Sequence, residues 1–130
     1  MVGDFFRDRL VVCVKLLIPT ESQEQITLIK WMRLAHPDHR IVASANGGAR
    51  NVITATRMKK EGVSAGYPDL LVPSLGLFIE LKRIKGGVVS AEQKDWLEYL
   101  RGCGYRAEVC NGFDAARLVI ENAISLYGKL

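Results

Sequence analysis

Apolar positions along the chain switch between two periods, and the switches divide it into elements. After Thr20, Ile26, Ile29 and Met32 recur at helical spacing. Thr20 suits an N-cap, and Glu21 and Glu24 place anions in the first turns, where the helix dipole favours them. His36-Pro37 ends the run. Ile41 to Ala45 reads as a short strand, Asn46-Gly47-Gly48 as a turn, and Ala49 to Gly62 as a loop with a helical turn. Leu70-Leu71-Val72 and Leu77 to Arg83 read as strands joined through Pro73-Ser74-Leu75-Gly76. Lys85-Gly86-Gly87 is a flexible connection. Ser90-Ala91-Glu92-Gln93 is a capping box that opens a helix through Arg101, with Trp96, Leu97 and Leu100 on its inner face and Gly102 and Gly104 stopping it. Tyr105 to Cys110 is a further strand. Asn111 is expected to cap a last helix with Phe113, Ala116, Ile120 and Ile124 inward. Helix, three strands, helix, strand, helix is the order of an α/β sandwich around a mixed sheet.

Residues 1–18 fit this plan least well. Leu10-Val11-Val12-Cys13-Val14 has β-branched, strand-like content and is read as an added edge strand or an arm that packs on a partner subunit. The apolar run Leu10–Ile18 is broken by Lys15 and is far shorter than the roughly 20 residues of a membrane span. Asp4 and Pro19-Thr20-Glu21 do not fit a signal peptide. A soluble, cytoplasmic protein is therefore expected.

Length and composition narrow the class. The 130 residues suffice for one domain with its own core, and the chain reads as a single unit over 1–130. Three cysteines, Cys13, Cys103 and Cys110, lack the paired spacing of a zinc site and fit free thiols. A net charge of +4 permits a polyanionic partner without demanding one. Arg40, Arg50, Arg57, Lys59 and Lys60 occur between positions 40 and 60 with no acidic residue among them, and Arg83 and Lys85 follow. Such a run is usually a solvated face, but these cations flank the hairpin discussed next and are read as phosphate contacts.

The hairpin carries the chemistry. With a four-residue loop over Pro73–Gly76, Val72 pairs with Leu77, and counting back sets Asp69 opposite Glu80. Directly opposed side chains have Cβ atoms about 4.5–5.5 Å apart, and two like charges there repel. A divalent cation between them reverses the sign, and hard carboxylate oxygens suit Mg²⁺ or Mn²⁺. Strand parity places Lys82 on the face of Glu80, while Ile79 and Leu81 point to the other face. The competing reading is a solvated strand face at Glu80 and Lys82 with Asp69 a turn residue.

Gly66-Tyr67-Pro68-Asp69-Leu70-Leu71-Val72, Phe78-Ile79-Glu80-Leu81-Lys82-Arg83, Ser90-x-x-Gln93 and Gly104-Tyr105-Arg106 together resemble the virus-type replication-repair nuclease (VRR-NUC) domain of the PD-(D/E)XK nuclease superfamily. Asn46-Gly47-Gly48…Arg50 adds to the match, which runs from about Thr20 to Ile120. The resemblance implies a restriction-endonuclease-like core. It implies a metal held by Asp69, Glu80 and the Leu81 carbonyl, with Lys82 assisting. It also implies an acidic residue on the first helix, either Glu21, which has Gln25 four residues later, or Glu24. Gln93 belongs to the capping box by position and to the active site by resemblance. Asn46 and Arg50 are the expected nucleic-acid contacts.

A metal-dependent phosphodiesterase acting on DNA follows as the expectation. Branched substrates such as four-way junctions and a homodimer come from the same resemblance. The alternatives are a non-catalytic DNA-binding module, a flap or restriction-type nuclease of the same superfamily, and an interaction domain that assembles through its N-terminal arm. His36-Pro37-Asp38-His39 reads as a helix end rather than a metal site.

Overall fold

The computed structural model describes residues 17–44 and 52–127. The expected N-terminal strand or arm, the Asn46-Gly47-Gly48 turn and Arg50 lie outside these residues. The first element is helix α1 (Glu21–Ala35). Thr20 Oγ1 accepts the Gln23 amide at 3.1 Å, and Gln23 Oε1 accepts the Thr20 amide at 2.8 Å, so two orphan donors of the first turn are satisfied reciprocally. The inward face of α1 is Glu24, Leu28 and Met32. Ile26, part of the same apolar run, is exposed, because the seam runs at i, i+4, i+8 from Glu24 with Ile29 packed at its edge.

Strand β1 is the residue pair Val42–Ala43. Helix α2 (Val52–Lys60) occupies the stretch expected to be largely loop. Its β-branched residues Val52, Ile53, Thr54 and Thr56 disguise a helix in sequence. Strand β2 (Leu70–Val72), a 3₁₀ turn at Pro73–Leu75 and strand β3 (Leu77–Lys82) form the expected hairpin. Gly76 closes the turn at φ 54°, a left-handed conformation that glycine adopts without a Cβ clash. Helix α3 (Ala91–Gly102), strand β4 (Arg106–Asn111) and helix α4 (Phe113–Tyr127) complete the chain. Asn111 does not cap α4. It ends β4 and donates from Nδ2 to the Arg83 carbonyl at 3.0 Å.

The sheet order is β1-β2-β3-β4, antiparallel up to β3 and parallel between β3 and β4. All six residues of β3 are buried, as befits a central strand covered on both faces. Leu77, Ile79 and Leu81 pack with Leu28 and Met32 of α1 and with Ala116, Ile120 and Ala123 of α4. Phe78 takes the other face with Leu97 and Leu100 of α3 and Ala107 of β4; Trp96 is only half-buried there. Each fully buried Leu or Ile contributes about 1.5–3 kcal/mol, so truncating Ile79 would weaken the packing of α1 and α4 on the sheet. Among the described residues no helix is long and apolar enough to cross a membrane.

Candidate active site

The hairpin register is the one obtained by counting: Val72 pairs with Leu77 and Leu70 with Ile79. Asp69, one residue before β2, therefore faces Glu80. Asp69 Oδ2 accepts the Leu81 amide at 2.9 Å, and its main-chain carbonyl accepts the Ser44 amide at 2.8 Å. Its carboxylate is thus held over the β3 backbone. The Leu81 side chain is buried in the core, so only its main chain can serve the site.

Glu80 is 1% exposed. Its Oε1 accepts Gln93 Nε2 at 2.8 Å and lies 3.7 Å from Lys82 Nζ. Its Oε2 is buried with no hydrogen-bond partner. Burial pushes the carboxyl up to about 8, the Asp69 carboxylate adds to the rise, and Lys82 opposes it. A buried carboxylate with one unsatisfied oxygen facing a second carboxylate is costly as it stands. Lys82 is buried as well, which removes the solvated-face reading of Glu80 and Lys82.

Gln93 closes the capping box and also reaches the buried carboxylate. Its Oε1 accepts the Ser90 amide at 2.8 Å and its amide donates to Ser90 Oγ at 3.1 Å, completing the capping box. The remaining side-chain nitrogen reaches Glu80. One residue thereby fixes the start of α3 and the rotamer of the buried carboxylate.

The two acidic residues of α1 separate. Glu24, 5% exposed, lies at the start of the last helix, and its Oε2 accepts the Phe113 amide at 2.6 Å. It caps α4 across 89 residues, an anion placed on the positive end of a helix dipole. Glu21 is half-buried, and its carboxyl is raised by burial and by the Asp69 charge, with Lys82 opposing. Glu21 thus lies within electrostatic reach of Asp69 and Lys82, while Glu24 Oε2 is engaged by the Phe113 amide.

Sequence reasoning missed Gly66. Its φ is +84°, and a Cβ there would lie 2.5 Å from the Glu92 carbonyl carbon and 2.7 Å from the Gln93 amide nitrogen. The loop entering Pro68-Asp69 therefore rests directly on the first turn of α3. A closed circuit results, from Gly66 to Asp69, across to Glu80, and back through Gln93 to α3. Tyr67 stacks edge-on against Phe78 and Trp96, anchoring the same loop.

The remaining candidates lie around this centre. Arg57 pairs with Glu61 at 3.6 Å on exposed α2, and Lys59 and Lys60 are exposed on the same helix. Arg83 and Lys85 are exposed beyond β3, and Arg83 reaches the Ile18 carbonyl at a long 3.5 Å. Asn46 and Arg50 fall outside the described residues. His36 is the C-cap residue of α1 and stacks edge-on with Trp31; His39 Nδ1 lies 2.7 Å from Ser74 Oγ. Both line a cavity of about 270 Å³ with Arg33 and Arg40, beside the Ser74 turn and at the end of α1 opposite Glu21. Cys110 is a buried core thiol pushed up to about 12 by burial, and Cys103 is exposed. Neither touches the carboxylates through any bond in the structure.

Comparison with known proteins identifies the family. A family model, the VRR-NUC domain, matches residues 12–114. The match begins at residue 12, so it takes in part of the N-terminal stretch for which the sequence offered no counterpart. A solved structure titled "VRR_NUC domain protein" superposes with a TM-score of 0.72 at 29% identity, covering 83% of this chain and 90% of the other. The curated proteins offer no match. The mixed sheet between helical layers is the restriction-endonuclease-like α/β fold, and with the family model spanning most of its length, the chain belongs to the VRR-NUC domain family.

Proposed function

We propose that this nuclease-family protein is a divalent-metal-dependent deoxyribonuclease that hydrolyses phosphodiester bonds at the Asp69–Glu80–Lys82 site. The observation that carries the reading is the buried Glu80 carboxylate, whose Oε2 has no partner and which faces Asp69. That donor set fits a hard cation. No group of three or more His, Cys, Asp or Glu side chains is placed to hold an ion by itself among the described residues. Mg²⁺ and Mn²⁺ bind through one or two carboxylates and keep several waters. Asp69, Glu80 and the Leu81 carbonyl would hold the ion, with Glu21 reaching it through bound water, and the ion would supply Lewis-acid charge at the scissile phosphate.

The chain's own residues then divide the work. The Leu81 amide and Gln93 fix the orientation of Asp69 and Glu80, so the carboxylates need no rearrangement on binding. Lys82 Nζ, tethered near Glu80, orients an attacking water and stabilises charge developing on the phosphate oxygens. Gln93 holds Glu80 while that charge shifts. Arg57, Lys59, Lys60, Arg83 and Lys85, with Asn46 and Arg50, are proposed to contact the DNA backbone around the cut.

Branched DNA, and a four-way junction in particular, is the proposed substrate, cut by a homodimer whose two-fold axis presents two sites to the junction. A cleavage panel of four-way junction, flap, single-stranded and duplex DNA, each with Mg²⁺, Mn²⁺ and EDTA, tests the reading. Metal-dependent cutting, strongest on the junction, is expected. Absence of cutting on every substrate with either ion would leave a DNA-binding module in its place.

A further inference from the structure

The loop that follows β3 folds back so that Gly87 lies on Lys82. A Cβ on Gly87 would stand 2.8 Å from Lys82 Cβ and 3.4 Å from the Arg83 amide nitrogen and carbonyl oxygen. The obstruction is the root of the lysine side chain, fixed to a central strand, and not its flexible end. It cannot swing aside; either the loop lifts or the strand shifts. Gly87 is not among the glycines with positive φ, so the obstacle to a side chain there is the space and not a left-handed backbone. Gly86 beside it has the reverse character, φ +82° with nothing within 4 Å.

Lys82 needs such a seat. A lysine carries a compact, strongly hydrated charge on a four-carbon stem with many rotamers. Here the residue is 8% exposed and its Nζ stays within 3.7 Å of Glu80 Oε1. The strand fixes where the side chain begins, and its end is held on β3 by the 3.7 Å contact with Glu80. The close-lying loop shields the stem from water and narrows the directions open to the ammonium.

We infer that Gly87 is a positioning residue: its loop seats the Lys82 ammonium beside Glu80, and only a residue without a Cβ lets that loop close. The consequence for cleavage rests on the nuclease reading above; the seating itself does not. Gly87→Ala is compared with wild type and with Gly102→Ala, a site with no neighbour within 4 Å. Amine acylation followed by mass spectrometry reads the accessibility of Lys82 against the exposed Lys94 in the same molecule. Lys82 labelling several-fold faster in Gly87→Ala, and unchanged in Gly102→Ala, is expected. In the cleavage assay kcat should fall roughly tenfold to a hundredfold with KM little changed, since misplacement of a catalytic group by an ångström costs on this scale. Unchanged Lys82 labelling in a folded Gly87→Ala protein overturns the inference.

If Gly87→Ala melts too low to assay, the same pair is compared in a Lys82→Gly background, where the obstructing Cβ is gone. A melting deficit that largely disappears there supports contact through Lys82, and a deficit that persists refutes it. Faster Lys82 labelling alongside a wild type that cuts no DNA upholds the seating and removes the nuclease reading. A wild type that cuts DNA with unchanged labelling in the variant does the opposite.

Discussion

Glu80→Gln removes one charge from the centre of the site while keeping its shape, and so measures what that charge costs the fold. The variant's amide oxygen still accepts from Gln93, and its NH₂ group supplies a donor where Oε2 now has no partner. The carboxyl of Glu80 rises from an ordinary 4.5 to about 8 in the folded protein. A raised acid binds more protons folded than unfolded. Its contribution to stability is therefore complete below about pH 4.5 and is lost as pH rises through 8. Each pH unit in that window is worth at most about 1.4 kcal/mol. Allowing for relaxation around the ionised group, roughly 2–4 kcal/mol should be lost across it. At an unfolding entropy of about 2.1 cal/mol/K per residue, 1 kcal/mol moves Tm by about 4 °C in a chain of 130 residues. Thermal melts in EDTA from pH 5 to 9 should show the two proteins close together at pH 5, with Glu80→Gln ahead by roughly 7–15 °C at pH 9. Glu21, raised in the same direction, titrates in both proteins, and its repulsion with Glu80 adds to the wild-type loss and is absent from the variant. Added Mg²⁺ or Mn²⁺ should recover much of the wild-type deficit at high pH and do little for the variant, because an ion that binds only the folded state stabilises by mass action. Parallel melting curves in EDTA across the whole range would refute the argument that Glu80 is held uncompensated.

Three further outcomes follow from the same geometry. Asp69→Ala and Lys82→Ala should each lower kcat by about 10²–10³, and calorimetric titration with Mn²⁺ should show binding lost in the first and retained in the second; full activity in either variant would refute the site assignment. Glu24→Ala should cost about 1.5–3 kcal/mol in urea unfolding, since it removes a charge-assisted cap from α4, whereas Glu24→Gln keeps an acceptor for the Phe113 amide and should lose less; loss of Mn²⁺ binding in Glu24→Gln with stability intact would put Glu24, not Glu21, at the ion. Gly66→Ala should lower stability by more than about 1 kcal/mol, because its Cβ meets the backbone of α3 and its φ is left-handed, and a neutral effect in the same urea assay would show that the loop does not rest on that helix.

Local physics made much of the candidate site readable from the residues. Side-chain alternation has a period of two and the Pro73–Gly76 connection is short, so the register that opposes Asp69 to Glu80 follows from counting. Capping residues act within three positions of themselves, so the starts of α1 and α3 were equally plain. Helix α2 was less so, because β-branched residues weaken the helical signal without forbidding the helix.

What the residues left open depends on contacts between distant parts of the chain. The rotation of α1 is one case: apolar residues lie on more than one side of it, and the choice between Ile26 and Leu28 as core is settled by packing on β3 and α4. That same rotation, pinned by the bond from the Phe113 amide to Glu24, separates Glu24 from Glu21 and leaves Glu21 beside Asp69 and Lys82. Asn111 has the residue type of a cap, yet the cap comes from a residue 89 positions away, since a helix end accepts any acceptor that the fold brings to it. Gly66 and Gly87 show no local reason to be glycine beyond their loops; the reason is a backbone or a side-chain root that meets them only in the folded chain. Short-range periodicity and capping thus determined which side chains could form the site, and long-range packing decided which of them are held together, how deeply they are buried and what charge they can bear.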